Sequence, residues 1–221
     1  MTATTLTASG ASDSSALSSG NDGTLVIQTG PSGGKVNALT LDAAGGAALL
    51  GALTQAGIAT PKILVVAPNT ATGGTFIDFT SIPSWVYIAL FSFSGLSLSG
   101  IGTPMFQIGD AGGVETAGYS GSVGRISGGG AAQAALSTGF SLIDGAAAAQ
   151  SYSGCLRLIR MNSTTWQADS NLGRTDAAGA AFMAGTKALS PGPLDRVRFT
   201  ADNGTDTIDL NGGISAIYIG F

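Results

Sequence analysis

The sequence predicts an all-β protein built around an antiparallel, jelly-roll-like β-sandwich, and three observations point there. Short runs rich in β-branched and aromatic residues recur along the chain, with Gly, Ser, Asn, Asp or Pro between nearly all of them. Glycine accounts for 35 of the 221 residues, without the every-third-residue register of collagen. Strict alternation marks Phe91-Ser92-Phe93-Ser94 and then Leu96-Ser97-Leu98-Ser99, which sends apolar side chains to one face of a strand and serine to the other.

Residues 1–20 are Ser, Thr and Ala with few large apolar side chains. Burial within such a segment does not offset the entropy of ordering it, so it reads as an extended N-terminal arm held by a larger particle. It has no Lys or Arg and no apolar central stretch, unlike a signal or transit peptide. Residues 21–60 form a β-rich connector. Strands are expected over 24–29 and 38–42, bounded by Asp-Gly and Gly-Gly turns, and strand or irregular structure over 47–58, where Gly51 and Gly57 interrupt any helical period. Thr60-Pro61 marks a boundary.

Residues 61–221 are long enough for one well-buried core. Strands are expected over 63–67, 75–79, 86–93, 105–108, 140–143, 154–161, 164–168, 197–200, 205–210 and 214–221. Trp85 and Trp166 lie beside strand patterns as core residues, and Cys155 opens an apolar strand as a buried, inert thiol. The Gly-rich run 124–130 has no Lys-Ser/Thr of a phosphate loop and is expected to be a flexible surface loop.

Composition removes several chemistries. The chain has no His and one Cys, so a Ser/His/Asp triad, a Cys/His dyad, a zinc finger and a disulfide framework lack their parts. Nine Lys and Arg are spread along a chain of net charge −4, which gives no footprint for nucleic acid. Mean hydropathy is +0.35, yet the longest apolar run, 85–91, has seven residues, against the ~20 of a membrane-spanning helix. High hydropathy with few charges points to apolar surface covered by other copies or other proteins.

Among the acids, Glu115 is the only Glu, with Asp110 just before it. Asp110-Ala-Gly-Gly reads as a turn in which Asp caps a backbone amide, rather than half of a catalytic pair. The cluster Asp202, Asn203, Asp206 and Asp209 offers oxygens to a hard cation, but its spacing is not that of an EF-hand and Asn-Gly is foremost a hairpin turn. No catalytic residue, metal ligand or cofactor is expected. Binding is expected on the excursions 118–135, 144–153 and 172–185, with Tyr119, Arg125, Tyr152 and Arg174 as the contact residues. The two tyrosines serve either to stack on a sugar ring or to anchor the loops.

Two stretches resemble a known family. DGTLVIQTG and NALTLDAAGGAALLGALTQAGI, within residues 21–60, are similar to a repeat-like motif of bacteriophage tail fibres and related virion appendages. The segments FIDFTSIPSWV, MFQIGDAGGVETAGYSGS, STGFSL, LRLIRMNSTTWQA and LDRVRFTADNGTDTIDLNGGISAIYIG, in that order between residues 76 and 220, resemble a C-terminal domain of phage tail fibres and head appendages. The resemblance departs at 87–90, where such proteins often place basic residues and this chain is apolar. It implies a homotrimer in the virion, assembled in the host cytoplasm. The N-terminal part would attach to other virion proteins and the C-terminal loops to a host-surface glycan or protein. The alternatives are a capsid decoration or head-fibre protein, a capsular polysaccharide depolymerase, and a secreted carbohydrate-binding module.

Overall fold

The structure, a computed structural model, describes residues 61–70, 73–145, 148, 150–190 and 192–221, and the backbone of seven short strands between residues 6 and 59. The chain divides into two compact units, Met1–Thr60 and Pro61–Phe221. Among the described residues every element is a strand and every strand pair is antiparallel.

In the first unit, β1 (Leu6–Ser9), β2 (Ser14–Ser19), β3 (Leu25–Thr29), β4 (Val36–Leu41) and β5 (Ala47–Ala48) follow one another in a single meander. β6 (Thr54–Gln55) and β7 (Ile58–Ala59) pair separately. The segment expected to be an extended arm thus contains two strands, and β2 pairs with β3 of the connector.

The second unit is a β-sandwich. Its strands in chain order are β8 (Lys62–Asn69), β9 (Phe76–Phe79), β10 (Val86–Leu98), β11 (Pro104–Asp110), β12 (Gly113–Val114), β13 (Tyr119–Ser127), β14 (Gly130–Ala135), β15 (Phe140–Ser141), β16 (Tyr152–Arg160), β17 (Thr165–Arg174), β18 (Gly179–Ala188), β19 (Arg196–Ala201), β20 (Ile208–Leu210) and β21 (Ile214–Gly220). One sheet runs β14-β13-β18-β17-β16-β10-β21-β8, with β20 also on β10; the other runs β12-β11-β19-β9, with β15 on β11. The run 124–130, expected as a flexible loop, is instead the end of β13 and its turn into β14. Its glycines and small residues pair across a hairpin rather than leaving the backbone to water.

The alternation seen in sequence fills the space between the sheets. Phe91 and Phe93 of β10 meet Phe79 and Phe106 of the opposite sheet at ring-centre distances from 5.2 to 6.2 Å, and Phe106 continues to Phe199 at 5.0 Å. Edge-on and tilted rings suit the aromatic quadrupole. Phe93 and Leu96 are both buried although three positions apart, so the alternation changes phase. A bulge at Gly95, with φ of 65°, absorbs the extra residue. Before it β10 pairs with β21, and after it with β20. Trp166 is buried, and Trp85 packs half-buried against the core. Cys155 is exposed on the outward face of β16, not buried. The alternation that buries Leu156 and Leu158 turns position 155 to water.

Candidate functional site

The three excursions nominated from the sequence meet at one end of the sandwich. The first is the β13–β14 hairpin, the second the segment leading from β15 into β16, and the third the β17–β18 hairpin. Arg125 on β13 donates Nη1–H to the Gly145 carbonyl at 3.1 Å. The Ser151 N–H donates to Asp176 Oδ1 at 3.2 Å, and the Thr175 N–H donates to the Ser151 carbonyl at 2.9 Å. β13 and β18 pair along their length, which closes the triangle.

Arg125, Tyr152 and Arg174 are brought together here. Tyr152 stands opposite Arg174 in the β16–β17 register, and its hydroxyl donates to Gln150 Oε1 at 2.7 Å. Burial raises the Tyr152 phenol above its ordinary pKa, while the guanidinium charges of Arg174 and Arg125 pull the other way. Arg174 forms an ion pair with Asp176, and that hydrogen bond holds the Asp176 carboxyl down to about 2. Both tyrosine rings are closed to a ligand: Tyr152 is 4% exposed and Tyr119 5%, so each is an anchor. Tyr119 lies apart from the other three. Its ring meets Phe140 edge-on at 4.9 Å, and its hydroxyl is taken up by the backbone of Ile108 and Glu115.

Arg125 also lines a groove of about 350 Å³ with Ser122, Ile126, Ala131, Gln133 and Phe182. The groove lies on the outward face of the larger sheet. One cross-strand row there reads Cys155, Asn171, Phe182, Gly124, Gln133. Gly124 has no side chain, so the Phe182 ring lies over it; a Cβ there would sit 2.9 Å from the ring. Phe182 and Ile126 are 52% and 58% exposed. The result is an aromatic face among small residues, with the amides of Asn171 and Gln133 and the Ser122 hydroxyl in reach. Such a surface accepts a flat, weakly polar ring and supplies donors and acceptors at its margin. Sequence reasoning missed Phe182; the signal was a single large ring within Gly179-Ala-Ala-Phe-Met-Ala-Gly185, where the neighbours are too small to cover it.

The acids singled out in the sequence hold the backbone. Asp110 is 5% exposed and accepts from the N–H groups of Gly112 at 2.7 Å and Gly192 at 2.9 Å. Glu115 pairs with Lys187 and accepts the Ser190 N–H at 2.8 Å. Asp202 and Asp206 accept the N–H groups of Thr103 and Gly102, each at 2.7 Å. Among the described residues no three His, Cys, Asp or Glu side chains converge as a metal site, and no helix is long and apolar enough to cross a membrane. No family model, curated protein or solved structure matches the chain.

Proposed function

We propose that the protein is a structural component of a bacteriophage particle, a tail fibre or fibre-like appendage. Its first unit attaches to other virion proteins, and the hairpin end of its second unit, with the Phe182 groove, contacts a glycan or protein of the host surface. Copies assemble as a homotrimer in the host cytoplasm, and the protein acts by binding rather than by catalysis. The observation that carries the binding role is the half-exposed Phe182 ring in an open groove on the same hairpins as the Arg125–Gly145 junction. The resemblance of the 76–220 segments to phage appendage domains supports the particle. Against a depolymerase stand Asp110 and Glu115, whose oxygens are occupied by backbone amides and Lys187, whereas glycoside hydrolysis needs two carboxyls free to flank a sugar bond. Weak sites repeated over several copies would gain avidity through effective concentration.

A second reading is a capsid decoration or head-fibre protein. The apolar stretch at 87–90, where the phage domains it resembles often place basic residues, favours it, because it suits packing against a neighbour. Gold labelling of the protein in intact particles separates the two. Label at the tail is the expected result; label confined to the capsid transfers the assignment, and purified particles without label remove both.

A further inference from the structure

We infer that the outward face of β8, β21, β10 and β16 is the surface through which one copy of this chain binds another. The register defines two adjoining rows. One reads Ile63, Ile219, Ile88, Ile159 and ends at Gln167; the other reads Val65, Ile217, Leu90 and ends at the Arg157–Asp169 ion pair, 2.9 Å apart. A third row, Ser215, Ser92 and Cys155, borders them. Seven aliphatic side chains thus form a continuous sheet face rimmed by polar groups. Ile63 and Val65 are 66% and 70% exposed. At the same end of these strands the rings of Tyr87 and Phe221 stand edge to face at 5.8 Å and are themselves 45% and 56% exposed.

Area and charge select the occupant. Ile63, Val65, Tyr87 and Phe221 are each between 45% and 70% exposed and the other five aliphatic side chains partly so, an apolar patch on the order of several hundred Å², the size that marks an interaction site. The aliphatic rows contain no charge, and the charges that end one of them are neutralised as an ion pair; at the ring end the Arg160 guanidinium lies over Tyr87 at 5.1 Å and donates to the Ser84 and Asn162 carbonyls. Two identical aliphatic rows therefore meet without like-charge repulsion. Flat rows of β-branched side chains suit face-to-face packing of sheets, as inside a sandwich. Among the described residues β8 is also an edge strand, so the face reaches the border of this sheet.

The inference rests on the proposed self-assembly but not on the place of the protein in a particle. Its test is sedimentation equilibrium of the full chain at micromolar concentration, comparing wild type with the double variant Ile63→Lys, Val65→Lys and with Ile101→Lys, an exposed position between β10 and β11 outside the proposed face. Wild type is expected at a multiple of 21.7 kDa. The double variant should associate at least tenfold more weakly, while Ile101→Lys is unchanged. Should the lysines impair folding, Ile88→Thr with Ile219→Thr removes apolar surface and keeps β-branched side chains, and the same loss is expected. A monomeric wild type, or association equal in wild type and face variants, overturns the inference. Failure of particle labelling with a positive sedimentation result would remove the proposed function and leave this interface standing.

Discussion

The Tyr119 hydroxyl accepts the backbone N–H of Ile108 at 2.8 Å and donates to the Glu115 carbonyl at 2.9 Å, tying β13 of the larger sheet to β11 of the smaller. Tyr119→Phe keeps the ring against Phe140 but leaves a buried N–H without its acceptor. A loss of about 1–3 kcal/mol in stability is expected, read as a lower urea midpoint with an unchanged slope.

Alkaline pH should weaken the same unit. Burial raises the Tyr119 phenol well above its ordinary value and the Tyr218 phenol to about 12. The folded state therefore keeps protons that the unfolded state releases above about 10. Stability is full below the unfolded value and falls as pH rises from there through the folded one. Urea melts across that range should show the decline, and Tyr218→Phe should reduce its slope.

Acid should loosen the hairpin end. Asp176 is held to about 2 by Arg174, from an ordinary 3.8, so its contribution is present above the ordinary value and is lost as pH falls through the lower one. Amide exchange at Ser151, whose N–H donates to Asp176, should quicken over that interval. Asp176→Asn should show the faster exchange already at neutral pH.

Gly95→Ala tests the bulge in β10. The residue lies at φ of 65°, and an added Cβ would fall 2.7 Å from Asn211 Cβ. The left-handed conformation alone costs about 1–2 kcal/mol for an L side chain, and the crowding adds to it. Thermal unfolding of the variant should shift down by several degrees.

Phe182→Ala tests the groove. The ring is half in solvent, so the substitution should leave the fold largely intact while lowering retention on host-surface polysaccharide at least tenfold. Equal retention by wild type and variant would separate the groove from receptor binding.

Legibility differed from element to element. Period-two alternation placed Phe91, Phe93, Leu96 and Leu98 in the core, because a strand has two faces and each residue type declares one. The phase change between Phe93 and Leu96 was written in the same run, yet it becomes a bulge only once β21 and β20 are seen to share β10. The Gly-rich run 124–130 misled because glycine marks both flexible loops and close-packed sheet rows. The decision lay with β14 on one edge of β13 and with β18, more than fifty residues away, on the other.

Glycine-punctuated alternation sets the all-β class, the antiparallel pairing and much of the aromatic core. Those properties depend on neighbours in sequence, through turn conformations and strand periodicity. Tertiary contacts alone make Tyr119 and Tyr152 buried anchors, set Arg125 on the Gly145 carbonyl, and gather seven aliphatic residues from four strands on one open face. Each depends on register between distant strands, which local propensity does not encode and which burial of the common core selects.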